Sequence, residues 1–166
     1  MPEARRSLVT NTTPLITLAV ATGTLDILRG LYARVIVPVA VAEEILAQGN
    51  SAPGASAFLG ATWLERGRDV AVPSYLRNSL DRGEAAVIQT ALQENIPLVC
   101  IDETVGRRVA RLNGLTVTGS VGILVKARRM GYSVNLSDAV GRMREHGIWL
   151  SEEVVRFVLE HDAEVP

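Results

Sequence analysis

Residues 98–124, LVCIDETVGRRVARLNGLTVTGSVGIL, read as strand, helix, strand and the opening of another helix. The run Leu98 to Ile101 stops at Asp102-Glu103, and a helical stretch with Arg107, Arg108 and Arg111 follows. Leu115 to Thr118 is a second strand, and Ser120 caps a helix over Val121 to Met130. Short β-branched runs that alternate with helices are the signature of an α/β chain, and their apolar continuity suits parallel strands covered on both faces.

The same alternation extends toward the N-terminus. Ser7 to Thr10 and Arg34 to Val37 are strands, with a weaker one at Thr62 to Leu64 and an extended piece at Val70 to Val72. Thr13 before Pro14 reads as the cap of a helix over Leu15 to Ala21, and Thr24 caps a short one through Leu31. A third helix starts at Pro38 and stops before Gly49; the run Gly49 to Gly60 is a loop or a loose helix. The strongest amphipathic helix begins at Asp81 or Gly83 and runs through Asn95. Asp102 precedes the next, and Ser137 and Ser151 cap two closing helices, the last acidic. The expectation is a single domain over 1–166, with a core at about 7–131 and C-terminal helices at 137–162. It is a three-layer α/β/α fold with a central, mainly parallel sheet of four to five strands.

Composition narrows the chemistry. The chain has 166 residues, one cysteine and two histidines. That excludes a disulfide framework and a multi-histidine metal site, and it disfavours histidine acid–base catalysis. Seventeen basic residues against 18 acidic ones rule out a generally basic coat for nucleic acid. Six bases and two acids between Asp102 and Gly131 nevertheless leave a local +4. Arg107, Arg108 and Arg111, with Lys126, Arg128 and Arg129, suit a phosphate backbone; solvated helix faces or ion pairs with the acidic C-terminal helices explain them equally well. No apolar run is long enough for a membrane span or a secretory leader, so a cytoplasmic protein is expected.

The acids carry the functional signal. In open α/β sheets ligands bind beyond the carboxyl ends of the strands. The first strand runs into Asn11-Thr12, and the strand at 98–101 runs into Asp102. Asp102 has a plain alternative as a helix cap. Glu84 lies in the first turn of its helix and shares the apolar stripe of Val87, Ile88 and Ala91, where a carboxylate needs a partner. Glu43 and Glu44 both align with small apolar neighbours, and periodicity does not choose between them. If Glu44, Glu84 and Asp102 converge, carboxylates ~5 Å apart repel by about 3 kcal/mol per pair at an effective dielectric of ~20. A cation relieves this, and oxygen ligands without histidine or thiolate select Mg²⁺ or Mn²⁺. The chemistry that uses such a cluster is phosphodiester hydrolysis.

The stretches VTNTTPLITLA at 9–19, VIVPVAVAEEIL at 35–46, LDRGEAAVIQTALQE at 80–94, LVCIDETVGRRVARLNGL at 98–115 and VTGSVGIL at 117–124 together resemble a PIN-domain protein. More narrowly they resemble the PIN-like branch of predicted nucleic-acid-binding proteins related to VapC-type toxins. The resemblance covers about 7–131 and implies a Mg²⁺- or Mn²⁺-dependent endoribonuclease of toxin–antitoxin type, with RNA as substrate and an antitoxin protein as partner; apolar helix faces in Val121 to Met130 and Val154 to Leu159 leave room for self-association and, with the resemblance, point to a homodimer. It carries the metal and catalytic roles to Glu44 (rather than Glu43), Glu84 and Asp102. Thr12 matches the hydroxyl residue beside the first acid, and Ser120 lies where the last strand turns into its helix; with Arg107 and Arg108 these would position water or phosphate. One position departs: Asn11 stands where the family has aspartate, offering a neutral oxygen that cannot act as a base. The alternative reading is therefore a catalytically impaired PIN-like module that binds RNA or an antitoxin. A phosphatase or receiver-like domain finds no phosphate-acceptor motif or glycine-rich loop.

Overall fold

The computed structural model describes residues 5–164. Five strands form one sheet in the order β3-β2-β1-β4-β5, and every pairing is parallel. β1 (Ser7–Thr10) lies at the centre, between β2 (Arg34–Val37) and β4 (Leu98–Cys100). β5 (Thr116–Thr118) and β3 (Glu65–Arg66) form the edges. Leu8, Val9, Ile36, Val37 and Val99 are fully buried, as strands covered on both faces require.

The connections are helical, as parallel strands demand. α1 (Thr12–Thr22) and α2 (Asp26–Leu31) link β1 to β2. α3 (Val39–Ala47) and α4 (Ala55–Gly60) precede β3. α5 (Ser74–Ser79) and α6 (Arg82–Gln93) return the chain to β4, on the other side of β1. α7 (Thr104–Leu112) crosses to β5, and α8 (Ser120–Arg129), α9 (Leu136–Glu145) and α10 (Glu152–Glu164) complete the helical layers. α9 packs on α1, and α10 packs on α8 and α9. The strand order reverses between β1 and β4, which makes their carboxyl ends the switch point where such sheets bind ligands.

Several local expectations shift. The edge strand forms at Glu65–Arg66 rather than at Thr62 to Leu64, because the register of β2 pairs Ile36 with Glu65 and Val37 with Arg66. Val70 to Val72 joins no strand. α1 starts two residues earlier than Thr13-Pro14 suggests, with Asn11 at the cap position. The cap position of α8 is Gly119, with Ser120 already helical, and Asn135 rather than Ser137 caps α9 by accepting from the Asp138 amide at 3.0 Å. Ser151 does cap α10: its hydroxyl accepts from the Val154 amide at 3.1 Å.

Candidate metal centre

Chain geometry at the switch point brings Asn11 to the acids. Its amide donates to the Cys100 carbonyl at 3.0 Å, continuing the β1–β4 pairing one residue past the strand. The side chain is 3% exposed, and its Oδ1 has no hydrogen-bond partner. A buried amide oxygen in that state costs about 1–3 kcal/mol unless a donor or a cation reaches it.

Glu44 projects from α3 toward the same place. Its Oε2 accepts from the Thr12 hydroxyl at 3.0 Å. Glu43 points elsewhere and pairs with Arg82 at 2.7 Å, so the structure separates the two acids that periodicity could not. Gly83, the second residue of α6, faces this group. A Cβ at Gly83 would lie 2.9 Å from Glu44 Oε2, 3.1 Å from Asn11 Oδ1 and 3.6 Å from Asp81 Oδ1. Three oxygens from three elements thus ring a point that any side chain would fill.

Asp81 and Glu84 form a capping box: Asp81 Oδ1 accepts from the Glu84 amide at 2.8 Å, and Glu84 Oε2 accepts from the Asp81 amide at 3.4 Å. The box uses one oxygen of Glu84. The other, Oε1, is buried without a partner, and α7 approaches it through Gly106, whose missing Cβ would stand 2.8 Å away. Oxygens of Asp81, Glu84 and Glu103 lie within 4.8 Å of one another. Burial, followed by the charge of Asp81 and the close approach of the Glu103 carboxylate, pushes the Glu84 carboxyl up to about 7; the Asp81 backbone hydrogen bond opposes this. Such a group needs either a proton or a cation.

Asp102 lies outside this tight group and is held at the mouth of α8. Its Oδ1 accepts from the Ser120 amide at 2.7 Å and its Oδ2 from the Ser120 hydroxyl at 2.9 Å. Asp102 therefore does not cap its own helix; it caps the one after β5 and ties the ends of β4 and β5 together. Arg107 folds back to donate to the Ile101 carbonyl at 2.8 Å. A Cβ at Gly119 would lie 2.8 Å from both Asp102 Oδ1 and an Arg107 guanidinium nitrogen. Arg108 and Arg111 are exposed, and neither makes an ion pair among the described residues.

The candidate residues thus fall into two adjoining clusters. Asn11, Thr12, Glu44 and Glu84 gather with Asp81 around the N-terminus of α6, and Asp102, Ser120 and Arg107 gather around that of α8. Both hydroxyls, Thr12 and Ser120, are engaged with carboxylates. Of the two candidate arginines, Arg107 faces the site and Arg108 faces solvent. Of the second basic run, Lys126 sits 4.9 Å over the Tyr32 ring, and Arg128 and Arg129 reach Asp162 and His161 of α10. Sequence reading missed Asp81 and Glu103 as members of the acidic group. Asp81 reads as a simple cap, and Glu103 as the neighbour of a more obvious acid; only the approach of α7 to α6 brings them together.

The donor set suits a hard divalent cation: carboxylate and amide oxygens only, two of them buried and without partners. Among the described residues no helix is long and apolar enough to cross a membrane. The DUF3368 family model, a PIN domain, matches residues 7–164 of the chain. No curated protein matches it.

Proposed function

The chain belongs to the PIN-domain family, and on that premise we propose that it is a metal-dependent endoribonuclease of toxin–antitoxin type, working in the cytoplasm on RNA. The observation that carries this reading is the pair of buried oxygens without partners, Asn11 Oδ1 and Glu84 Oε1, set among further carboxylates at the switch point of the sheet.

Glu84, Glu44, Asp102 and Asn11 would hold Mg²⁺ or Mn²⁺, with Asp81 and Glu103 adding negative charge that Asn11 does not supply. When bound, such a cation polarises the phosphate and lowers the pKa of water enough for attack at neutral pH. The chain's own groups do the rest. Thr12 fixes Glu44, and Ser120 fixes Asp102 through two hydrogen bonds. Arg107 sets a permanent positive charge beside Asp102, where a phosphate oxygen would gain from it. Glu84, its carboxyl held up to about 7 by burial while the site is empty, has to release that proton as a cation enters.

The second reading, an RNA- or antitoxin-binding module, is favoured by Asn11 itself: one carboxylate fewer weakens both metal affinity and water activation. One assay separates the two. Single-stranded RNA is incubated with wild type, Glu84→Gln and Asn11→Asp in Mn²⁺ and in chelator. Cleavage by wild type in Mn²⁺ only, lost in Glu84→Gln and raised in Asn11→Asp, supports the nuclease. Absence of cleavage in all three, with RNA retained in a binding assay, favours the module. The toxin role predicts growth arrest on expression, relieved by a neighbouring antitoxin gene. A homodimer is proposed as the assembly, and sedimentation tests it.

A further inference from the structure

A groove of about 740 Å³ opens beside Asp102 and Arg107 and runs between α8, α9 and α10. Its polar wall carries Asp102, Arg107 and Ser120, and its apolar wall carries Trp149 and Phe157. Trp149 is 84% exposed, the most exposed large hydrophobic side chain among the described residues. It is nonetheless firmly presented. Gly147, at φ +74°, ends α9, and the Ile148 amide closes onto the Met143 carbonyl at 2.9 Å. Ile148 and Leu150 on either side are packed against the core. In this three-residue stretch the outer members are half-buried and the middle one, an indole, is exposed.

We propose that Trp149 is the stacking platform for an unpaired base of the RNA strand whose phosphate lies at Asp102 and Arg107. This rests on the nuclease reading above and adds the side chain that would hold a base of the strand. Charge decides what faces the apolar wall. Among the residues lining the groove the one cation is Arg107, beside Asp102, whereas Glu153 near the start of α10 has no ion pair among the described residues, so a phosphate on that side meets an uncompensated carboxylate. The polyanionic backbone is held on the side of Arg107, and the uncharged base is the part that turns toward α10. Phe157 is already covered in part by the His161 ring, at 4.2 Å between centroids, which leaves the Trp149 face as the open one. A paired base has both faces covered by its neighbours in the duplex and cannot use it. The volume lies within the range of sites for molecules of nucleotide size.

The test is binding of fluorescent RNA by anisotropy in Mn²⁺, with Glu84→Gln as the background so that the strand stays intact. Adding Trp149→Ala should weaken single-strand binding by at least about fivefold, while Trp149→Phe stays within about twofold. A duplex of the same sequence should bind more weakly and be indifferent to Trp149→Ala. Equal affinity of the alanine variant for single strands overturns the proposal. So does unchanged affinity with a dimer that falls to monomer in sedimentation, which assigns the indole to a second copy of the chain. Trp149→Ala alone is assayed for cleavage in parallel. Wild-type kcat and KM there overturn the platform and leave the nuclease standing; no cleavage by wild type overturns the nuclease, and the anisotropy arm still judges the platform.

Discussion

Glu84 and Asp102 are both acids at strand or helix ends, yet their surroundings give them opposite energetic roles. Glu84 is buried beside like charge, and its folded pKa of about 7 lies above the ordinary value of 4.5. The folded state therefore binds a proton the unfolded chain has released. The stability tied to that proton is intact below about pH 4.5 and is lost as pH rises toward about 7. In chelator, the melting temperature of wild type should fall across that window, and Glu84→Gln should flatten the slope and melt higher than wild type at pH 8. Asp102 instead accepts two hydrogen bonds from Ser120 at the start of α8. Asp102→Ala should lower stability by about 1 kcal/mol at neutral pH, as loss of a helix cap does; a denaturant titration reads this. Both acids were legible in the sequence, Asp102 from its place after a strand and Glu84 from its alignment with an apolar stripe. Their opposite signs were not, because partner identity comes from tertiary packing.

Among the elements, α6 organises the site through a residue that has no side chain. Gly83 leaves room for Glu44 Oε2, Asn11 Oδ1 and Asp81 Oδ1, and an added methyl displaces the ends of side chains rather than backbone. Alanine is also the better helix former by roughly 0.5–1 kcal/mol. Gly83→Ala should therefore keep the fold, with a melting temperature in chelator no lower than that of wild type, while Mn²⁺ affinity by calorimetry drops at least about tenfold. Central strands and long helices of this kind were readable from sequence, since Leu8–Val9, Val35–Val37 and Val99–Ile101 had only a parallel core to occupy. The edge strand was not. Trp63-Leu64 looks more like a strand than Glu65-Arg66, but two exposed residues in register with β2 need only backbone pairing. α5, six residues with one buried side chain, gave too little periodicity to register.

For the whole molecule, topology gathers what the sequence scatters. Asn11, Glu44, Glu84 and Asp102 are up to 91 residues apart (102 − 11), and the reversal of strand order between β1 and β4 brings their elements to one crevice. The basic residues divide by the same logic. Lys126, Arg128 and Arg129 of α8 contact Tyr32 and α10, whereas Arg108 and Arg111 of α7 are exposed without an ion pair among the described residues; on the proposed reading these two face the phosphate backbone. The double variant Arg108→Gln/Arg111→Gln should flatten the salt dependence of RNA affinity by about one unit for each phosphate left without its arginine, whereas Lys126→Gln should leave the slope unchanged.

The central claim is that water attacks an RNA phosphate at a cation-holding carboxylate site. The alternative route, attack by the neighbouring 2′-hydroxyl, needs an acid–base pair such as two histidines. His146 and His161 are instead engaged with the Arg142 and Phe157 carbonyls on α9 and α10. The most direct measurement is mass spectrometry of the RNA ends produced by wild type and Mn²⁺ in heavy-oxygen water. The expected result is one heavy oxygen in the terminal phosphate of each product pair, no cyclic phosphate, and no products in chelator. Unlabelled 2′,3′-cyclic phosphate ends, or products that persist when the metal is removed, would contradict it.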